Sequence, residues 1–243
     1  GADVNDSLLI PRRVDVDPDA TTQITAEPEF EFGPSALILA VANAHYELAT
    51  LLLDRGADPT ADDQGWTALH QITWVRKPGA GGNRPGPEGS GNVDSMEMVR
   101  QLVAHGADID ARVFKRPRMG TTDLNTVGST PFLLAARTAD APLMLVLAEL
   151  GADTQLSNEE NTTPLLVAAG VGTRFPGEDA GTDDDVLEAV TVAVRLGGDL
   201  NAVDDNGETV MHGLAYKLAA SAVLFVIDNG AKIEVWNQEN KFG

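Results

Sequence analysis

The sequence predicts an α-solenoid, in which short helix–turn–helix units stack in a line and project hairpin loops to one side. Three observations predict it. An apolar helix end followed by a glycine stop, as in Leu51-Leu52-Leu53-Asp54-Arg55-Gly56-Ala57-Asp58, recurs at Gly106-Ala107-Asp108, Gly151-Ala152-Asp153, Gly197-Gly198-Asp199 and Gly230-Ala231. A polar stretch then leads through Ser or Thr into a new apolar run, as at Gly65-Trp66-Thr67-Ala68-Leu69-His70 and Gly128-Ser129-Thr130-Pro131-Phe132. Only 5% of residues are aromatic, and Ala and Leu dominate the apolar set, which suits small helices stacked closely without one central core.

In chain order, Gly1-Ala2-Asp3-Val4-Asn5 reads as the tail of a unit, and Asp6 to Phe32 is too long for an ordinary hairpin. Pro11, Pro18 and the alternation around Val14 and Val16 predict extended structure there. The first full unit has Ser35-Ala36-Leu37 at its start, Asn43-Ala44-His45 at its turn, and Leu48, Leu51 and Leu52 at helical spacing on its second helix. Gly56 ends that helix in the left-handed conformation glycine adopts without Cβ strain. The second unit is interrupted at 76–92 by Gly, Pro and Asn, a composition that predicts a loop burying almost nothing. Its second helix resumes near Asp94 with Met98, Leu102 and Val103. The third unit carries its extra residues in the hairpin, then restarts with Thr130 as a cap, Pro131 in the first turn, and Ala135 and Ala136 facing the stack. The fourth opens at Asn161-Thr162-Thr163-Pro164 and is broken between its helices by Gly170 to Asp183, with a second helix from about Asp184 to Leu196. The fifth runs uninterrupted from Gly207-Glu208-Thr209 to Gly230, and Val235-Trp236-Asn237 begins another hairpin. The boundaries are 33–64, 65–127, 128–160, 161–205 and 206–238, with insertions at 6–32, 76–92, 112–127 and 170–183. From the Ser or Thr start to the closing glycine the spacing is 21 in the first, third and fifth units.

A unit of about 33 residues with this helix start and this glycine close resembles the ankyrin repeat. The resemblance implies about five full repeats with partial ones at both ends, helices in two layers, and a concave surface of hairpins and inner helices that binds a partner protein. It implies no catalysis. Two other functions fit the same architecture: a structural spacer or self-assembling segment, and a docking or regulatory domain of a larger enzyme or electron-transfer protein. Both ends read as open in mid-repeat, so an internal piece of a longer chain and a larger complex are expected. His70 and His212 fall on the histidine of the family's Thr-Pro-Leu-His signature, which implies a hydrogen-bonding tie from one hairpin to the next. His45 and His105 read as structural or exposed. The style of the repeats resembles bacterial ankyrin proteins and does not separate cytoplasm from periplasm.

Composition narrows the partner. The formal net charge is −20, from 37 acidic and 17 basic residues, so nucleic acid and anionic membrane are poor partners for most of the surface. There are no cysteines, which removes disulfides, thiolate metal sites and cysteine nucleophiles. Asp15, Asp17 and Asp19 alternate like calcium-loop ligands, but Ala20 and Ala26 stand where that loop needs Gly and Glu. Glu178, Asp179, Asp183, Asp184 and Asp185 cluster at a helix start, where acids suit the dipole and Asp183 is placed to cap. Gly79-Ala80-Gly81 lacks the final glycine of a dinucleotide loop, since Arg84 stands there. No nucleophile elbow, phosphate loop or zinc-protease motif is present, so neither an enzyme nor a cofactor is expected. Arg112, Phe114, Lys115, Arg116 and Arg118 form the one concentrated basic segment, set against an acidic background. With Trp66, Glu159, Asn161 and Trp236, placed at or near hairpin tips, they are the candidate partner-binding residues; pairing with neighbouring acidic loops is the competing use of the basic segment.

Overall fold

Helix starts in this chain are chemically marked, and the computed structural model places a helix at each mark. It describes residues 4–5, 7–11, 30–78, 86–116, 123–178 and 180–241. Arg118, Asp179, Val14, Val16, the aspartates at 15, 17 and 19, and the 79–84 glycine segment lie outside these. Among the described residues five helix pairs follow one another: α1 (Ala36–Ala42) with α2 (Tyr46–Asp54), α3 (Ala68–Arg76) with α4 (Ser95–Ala104), α5 (Pro131–Arg137) with α6 (Ala141–Glu149), α7 (Pro164–Ala169) with α8 (Asp183–Arg195), and α9 (Val210–Lys217) with α10 (Ala220–Asp228). A single turn, α11 (Ile233–Trp236), packs on α9. Strands β1 (Ser7–Pro11) and β2 (Phe30–Ser35) pair antiparallel, so the ends of the first insertion form extended structure as expected.

Ser35, Thr67, Thr130, Thr163 and Thr209 all stand at the N-cap of the first helix of a pair, in extended conformation. In α1, α5 and α7 the hydroxyl takes up an amide of the first turn, and in α5 and α7 a proline removes another donor that has no intrahelical partner. The N-cap of α8 is Thr182, in a reciprocal box with Asp185; Asp183, expected as the cap, is the first helical residue and accepts from Ser221.

First helices contact first helices and second helices contact second helices, giving the two layers of a helical solenoid. Alanines 135, 136, 168 and 169 are fully buried in the stack, as are Met98, Leu102, Phe132, Leu143 and Met144. Burying each of the larger side chains contributes about 2 kcal/mol. The stripe expected on α2 is out of phase: Tyr46, Ala49 and Leu53 are buried, whereas Leu48 and Leu51 are both 47% exposed. The residues that touch the neighbouring pair choose the phase, and leucine spacing alone does not fix it.

Polar contacts tie each unit to the next at two levels. The first follows the closing glycine. Gly56, Gly106, Gly151 and Gly230 have φ between +90° and +106° with open space where a Cβ would stand, so conformation alone requires glycine. Asn5, Asp110, Gln155 and Asn201 each reach a following closing loop, at Asp58 N (2.8 Å), Asp153 N (3.0 Å), Leu196 O (2.9 Å) and Lys232 N (2.8 Å). The second level is at the hairpins. Phe114 N donates to Gly65 O, Glu159 N to Val127 O, Asp205 N to Glu160 O and Lys241 N to Asn206 O, all within 3.1 Å.

His70 adds a buried tie of the implied kind. Its Nδ1 accepts from Thr67 N–H (3.1 Å), and its Nε2 donates to Ala111 O (3.0 Å) and Ser129 O (3.2 Å) in the next hairpin. His212 makes the matching bond to Thr209 N. Arg76 forks onto the buried Asp140 carboxylate (2.7 and 3.1 Å), which also caps α6. The 76–92 insertion departs from expectation. Asn92 N donates to Glu47 Oε1 (2.7 Å), and Ser90 bonds both Ala44 O and His45 Nδ1, so its later half docks on the preceding helix turn.

Burial drives the His70 pKa down to about 4, against weaker opposing effects of its bonds to Ser129 and Ala111. The unfolded chain titrates near the ordinary value of about 6.5, so the stability from neutral His70 is complete above that pH. It is lost as pH falls from there through about 4, because the unfolded state binds the proton first. Urea unfolding at pH 7, 6 and 5 is expected to show a contribution approaching about 1.4 kcal/mol per pH unit that His70→Gln lacks. Identical pH slopes for the two proteins rule this out.

Candidate functional site

The hairpin ladder sets where each candidate residue stands. Arg112 is exposed along its stem, yet its guanidinium donates to Gly128 O (2.6 Å) and to Ser157 O, bridging two successive hairpins. Its partners are carbonyls, not the acidic loops expected as the competing use. Val113 beside it is buried, and Phe114 is 55% exposed although its amide is in the ladder. Lys115 and Arg116 are exposed, and the Lys115 backbone passes so close to Gly65 that a Cβ there would stand 2.5 Å from that of Lys115. Trp66 is half-buried: its ring meets Trp74 edge to face at 5.7 Å and its Nε1 donates to Gln71 Oε1 (3.0 Å). Glu159 is exposed at the next tip, and Asn161, at φ +56°, donates to Asp205 Oδ1 (2.9 Å). Trp236 stands on α11, not on a hairpin tip. It is half-buried, with Nε1 buried and no acceptor for it among the described residues. The ladder therefore brings Trp66, Arg112, Phe114, Lys115, Arg116, Glu159 and Asn161 onto one edge and leaves Trp236 beside α9.

A concave site lies along the same edge, where the third and fourth insertions meet. Asp123 N donates to Gly172 O (3.1 Å), and the Arg174 guanidinium pairs with the Asp123 carboxylate, holding that carboxyl below its usual range. Gly172 has φ +89°, and a Cβ on it would stand 2.5 Å from that of Leu124, so the two insertions touch only because this residue is glycine. Behind them is a cavity of about 190 Å³ whose wall includes Glu160, Thr162, Asp204, Glu208 and Tyr216. Glu208 is 2% exposed. Its Oε1 accepts from Tyr216 OH (3.1 Å) and Asn240 Nδ2 (3.1 Å), while Oε2 is buried with no hydrogen-bond donor among the described residues. Burial pushes the Glu208 carboxyl up, against the opposing bond from Tyr216. The Asp204 carboxylate is consumed by the hairpin, accepting from Asn206 N, Glu208 N and Thr162 Oγ1.

The sequence reading missed this site because its halves lie in unrelated insertions. One signal was available. The residue between the hairpin's turn and the Thr cap is Trp66, Ser129, Thr162 and Glu208 in successive units, so only the last carries an ionisable group into a helix entry. Among the described residues no group of three or more His, Asp or Glu side chains is placed to hold a metal ion, and no helix is long and apolar enough to cross a membrane.

The ankyrin repeat family model matches residues 32–64, the unit with α1 and α2. Over 136 residues the chain is 32% identical to the B-cell lymphoma 3 protein homolog of Mus musculus, covering 56% of this chain and 24% of that relative. Residues 32–64 therefore match an ankyrin repeat, and this match with the partial relative supports reading the chain as an ankyrin-repeat protein. It spans about a quarter of the length of that relative. Ankyrin repeats generally mediate protein–protein interaction, and here the hairpin edge and its insertions are the parts that vary from unit to unit.

Contact between the insertions is the feature most exposed to a single change. Gly172→Ala is expected to separate them, at a cost of roughly 1–2 kcal/mol from backbone strain and the clash with Leu124. Limited trypsin digestion is the check: cleavage after Arg174 is expected to accelerate several-fold while far-ultraviolet dichroism is unchanged. Unaltered cleavage means the contact contributes nothing.

Proposed function

We infer that the chain is an array of five full ankyrin repeats, divided at the boundaries given above, acting as a non-catalytic scaffold that binds a protein partner along its hairpin and inner-helix surface. One observation carries this reading. The segment with the most concentrated positive charge presents a half-exposed phenylalanine, Phe114, from a backbone fixed on both sides by the hairpin ladder. An apolar ring held rigid among cations, on an otherwise acidic protein, is suited to a contact surface that excludes most partners and admits one with an acidic rim around an apolar pocket. Arg112 supports the surface by clamping hairpins, and Lys115, Arg116 and Glu159 are exposed beside it.

Affinity capture with the intact protein, followed by mass spectrometry, tests this. Phe114→Ser is expected to weaken capture of the main partner by about tenfold or more, with an unchanged melting temperature. Equal capture by the variant places the partner elsewhere on the array.

A second reading is end-to-end self-association. The last helix pair leaves Leu218, Leu224 (67% exposed) and Ile233 uncovered on α9 to α11. Under this reading, light scattering gives a mass that climbs above 25.6 kDa with concentration, and Leu224→Glu suppresses the rise. A mass constant across concentration removes it.

A further inference from the structure

We propose that the cavity between the third and fourth insertions is a receptor for a guanidinium group, the side chain of an arginine on the partner protein. The inference rests on the reading that a protein partner lies along the hairpin edge, and it assigns that surface its anchoring contact.

Three features of the cavity select this ligand. The first is the unsatisfied acceptor. Glu208 is almost wholly buried, its Oε1 is held by Tyr216 and Asn240, and among the described residues none donates to its Oε2. A buried carboxylate oxygen left in that condition is destabilising, and a donor that reaches it relieves that cost. The second is charge. With the Asp123–Arg174 pair internally balanced, the wall still holds Glu160, Asp204 and Glu208 against Lys241. An anion or a neutral apolar group gains nothing there, and a cation does. The third is shape. The wall places a phenol and carboxylates around about 190 Å³, enough for a planar head and part of its stem. A guanidinium distributes five donors over several acceptors and packs its face against an aromatic ring, whereas an ammonium concentrates its charge at one point.

The insertions also explain why the receptor lies at this place. Asp123, Leu124 and Gly172 to Arg174 form one wall of the cavity. Extra residues in two adjacent repeats, on the hairpin side of one and the inter-helix side of the other, are what it takes to enclose the Glu208 carboxylate.

The test uses the whole protein, labelled with ¹⁵N, and three small probes: Nα-acetyl-arginine methylamide, its neutral citrulline analogue, and Nα-acetyl-lysine methylamide. The arginine probe is expected to give saturable shifts at the amides of Gly172, Thr173 and Asn206, with at least fivefold weaker binding of the citrulline probe. Glu208→Gln, which keeps the shape and removes the charge, is expected to weaken the arginine probe at least fivefold, and Glu160→Gln to weaken it less. The second variant decides the matter if the first fails to fold. No saturable shift, equal binding of citrulline, preference for lysine, or indifference to both substitutions overturns the proposal; in the first case the cavity holds only water. The two readings fail separately. Arginine binding without a captured partner sinks the scaffold reading and leaves the receptor. A partner captured equally well by wild type and Glu208→Gln, with no arginine binding, does the reverse.

Discussion

Four successive hairpin tips in this array each donate one backbone amide to a carbonyl of the tip before it, and much of the molecule follows from that constraint. A single helix pair here is too small to bury its own apolar face, so it must stack, and stacking alone leaves the hairpins free to splay. The bonds from Phe114 to Gly65, Glu159 to Val127, Asp205 to Glu160 and Lys241 to Asn206 remove that freedom. They also explain the chemistry at the tips. Gly65 and Gly128 have φ of +115° and +80° and lie within touching distance of Lys115 and Glu159, so a side chain at either would push the next tip away. Asn161 fills the matching position in the fourth unit at a left-handed φ and spends its amide on Asp205, turning a conformational exception into another bond between units.

Because the tips are fixed, the insertions have something rigid to build upon. The 76–92 insertion returns to dock on Glu47, Ala44 and His45, and its ends frame the Arg76 fork onto Asp140. The third and fourth insertions meet through Asp123, Gly172 and Arg174. Both cases obey one rule: loop closure costs little more for a long loop than for a short one, so extra residues survive wherever their far end finds a partner. In this protein the partners are polar and local.

The fold was legible because its determinants are local. Ser35, Thr130 and Thr163 cap helices through bonds three residues away, and the closing glycines need a positive φ whatever surrounds them. The errors were of the opposite kind. Leu48 and Leu51 have the spacing of a buried stripe, but Tyr46, Ala49 and Leu53 are the residues the neighbouring pair covers. Asp183 looked like a cap because it begins the acidic run, whereas Thr182 pairs reciprocally with Asp185 and sets the helix start one residue earlier. Arg112 was singled out for its charge and spends it on carbonyls of two hairpins, a role visible only once residues 128 and 157 are side by side. The cavity at Glu208 had no local signature, since its wall joins residues around 123, 172 and 208 that no periodicity relates.

Rigidity and binding meet at this wall. Asp204 is fully engaged in holding the fifth hairpin, and its neighbour four residues on, Glu208, is drawn into the helix entry with one oxygen unsatisfied among the described residues. The hairpin bonds that make the array stiff are therefore the ones that hold a carboxylate in a costly position. Burial raises its pKa, so the unliganded site relieves the cost by favouring the proton. A bound cation relieves it by favouring the anion. Ligand and proton then compete for one oxygen, and because the ladder has already ordered the surrounding backbone, neither must pay for folding the site.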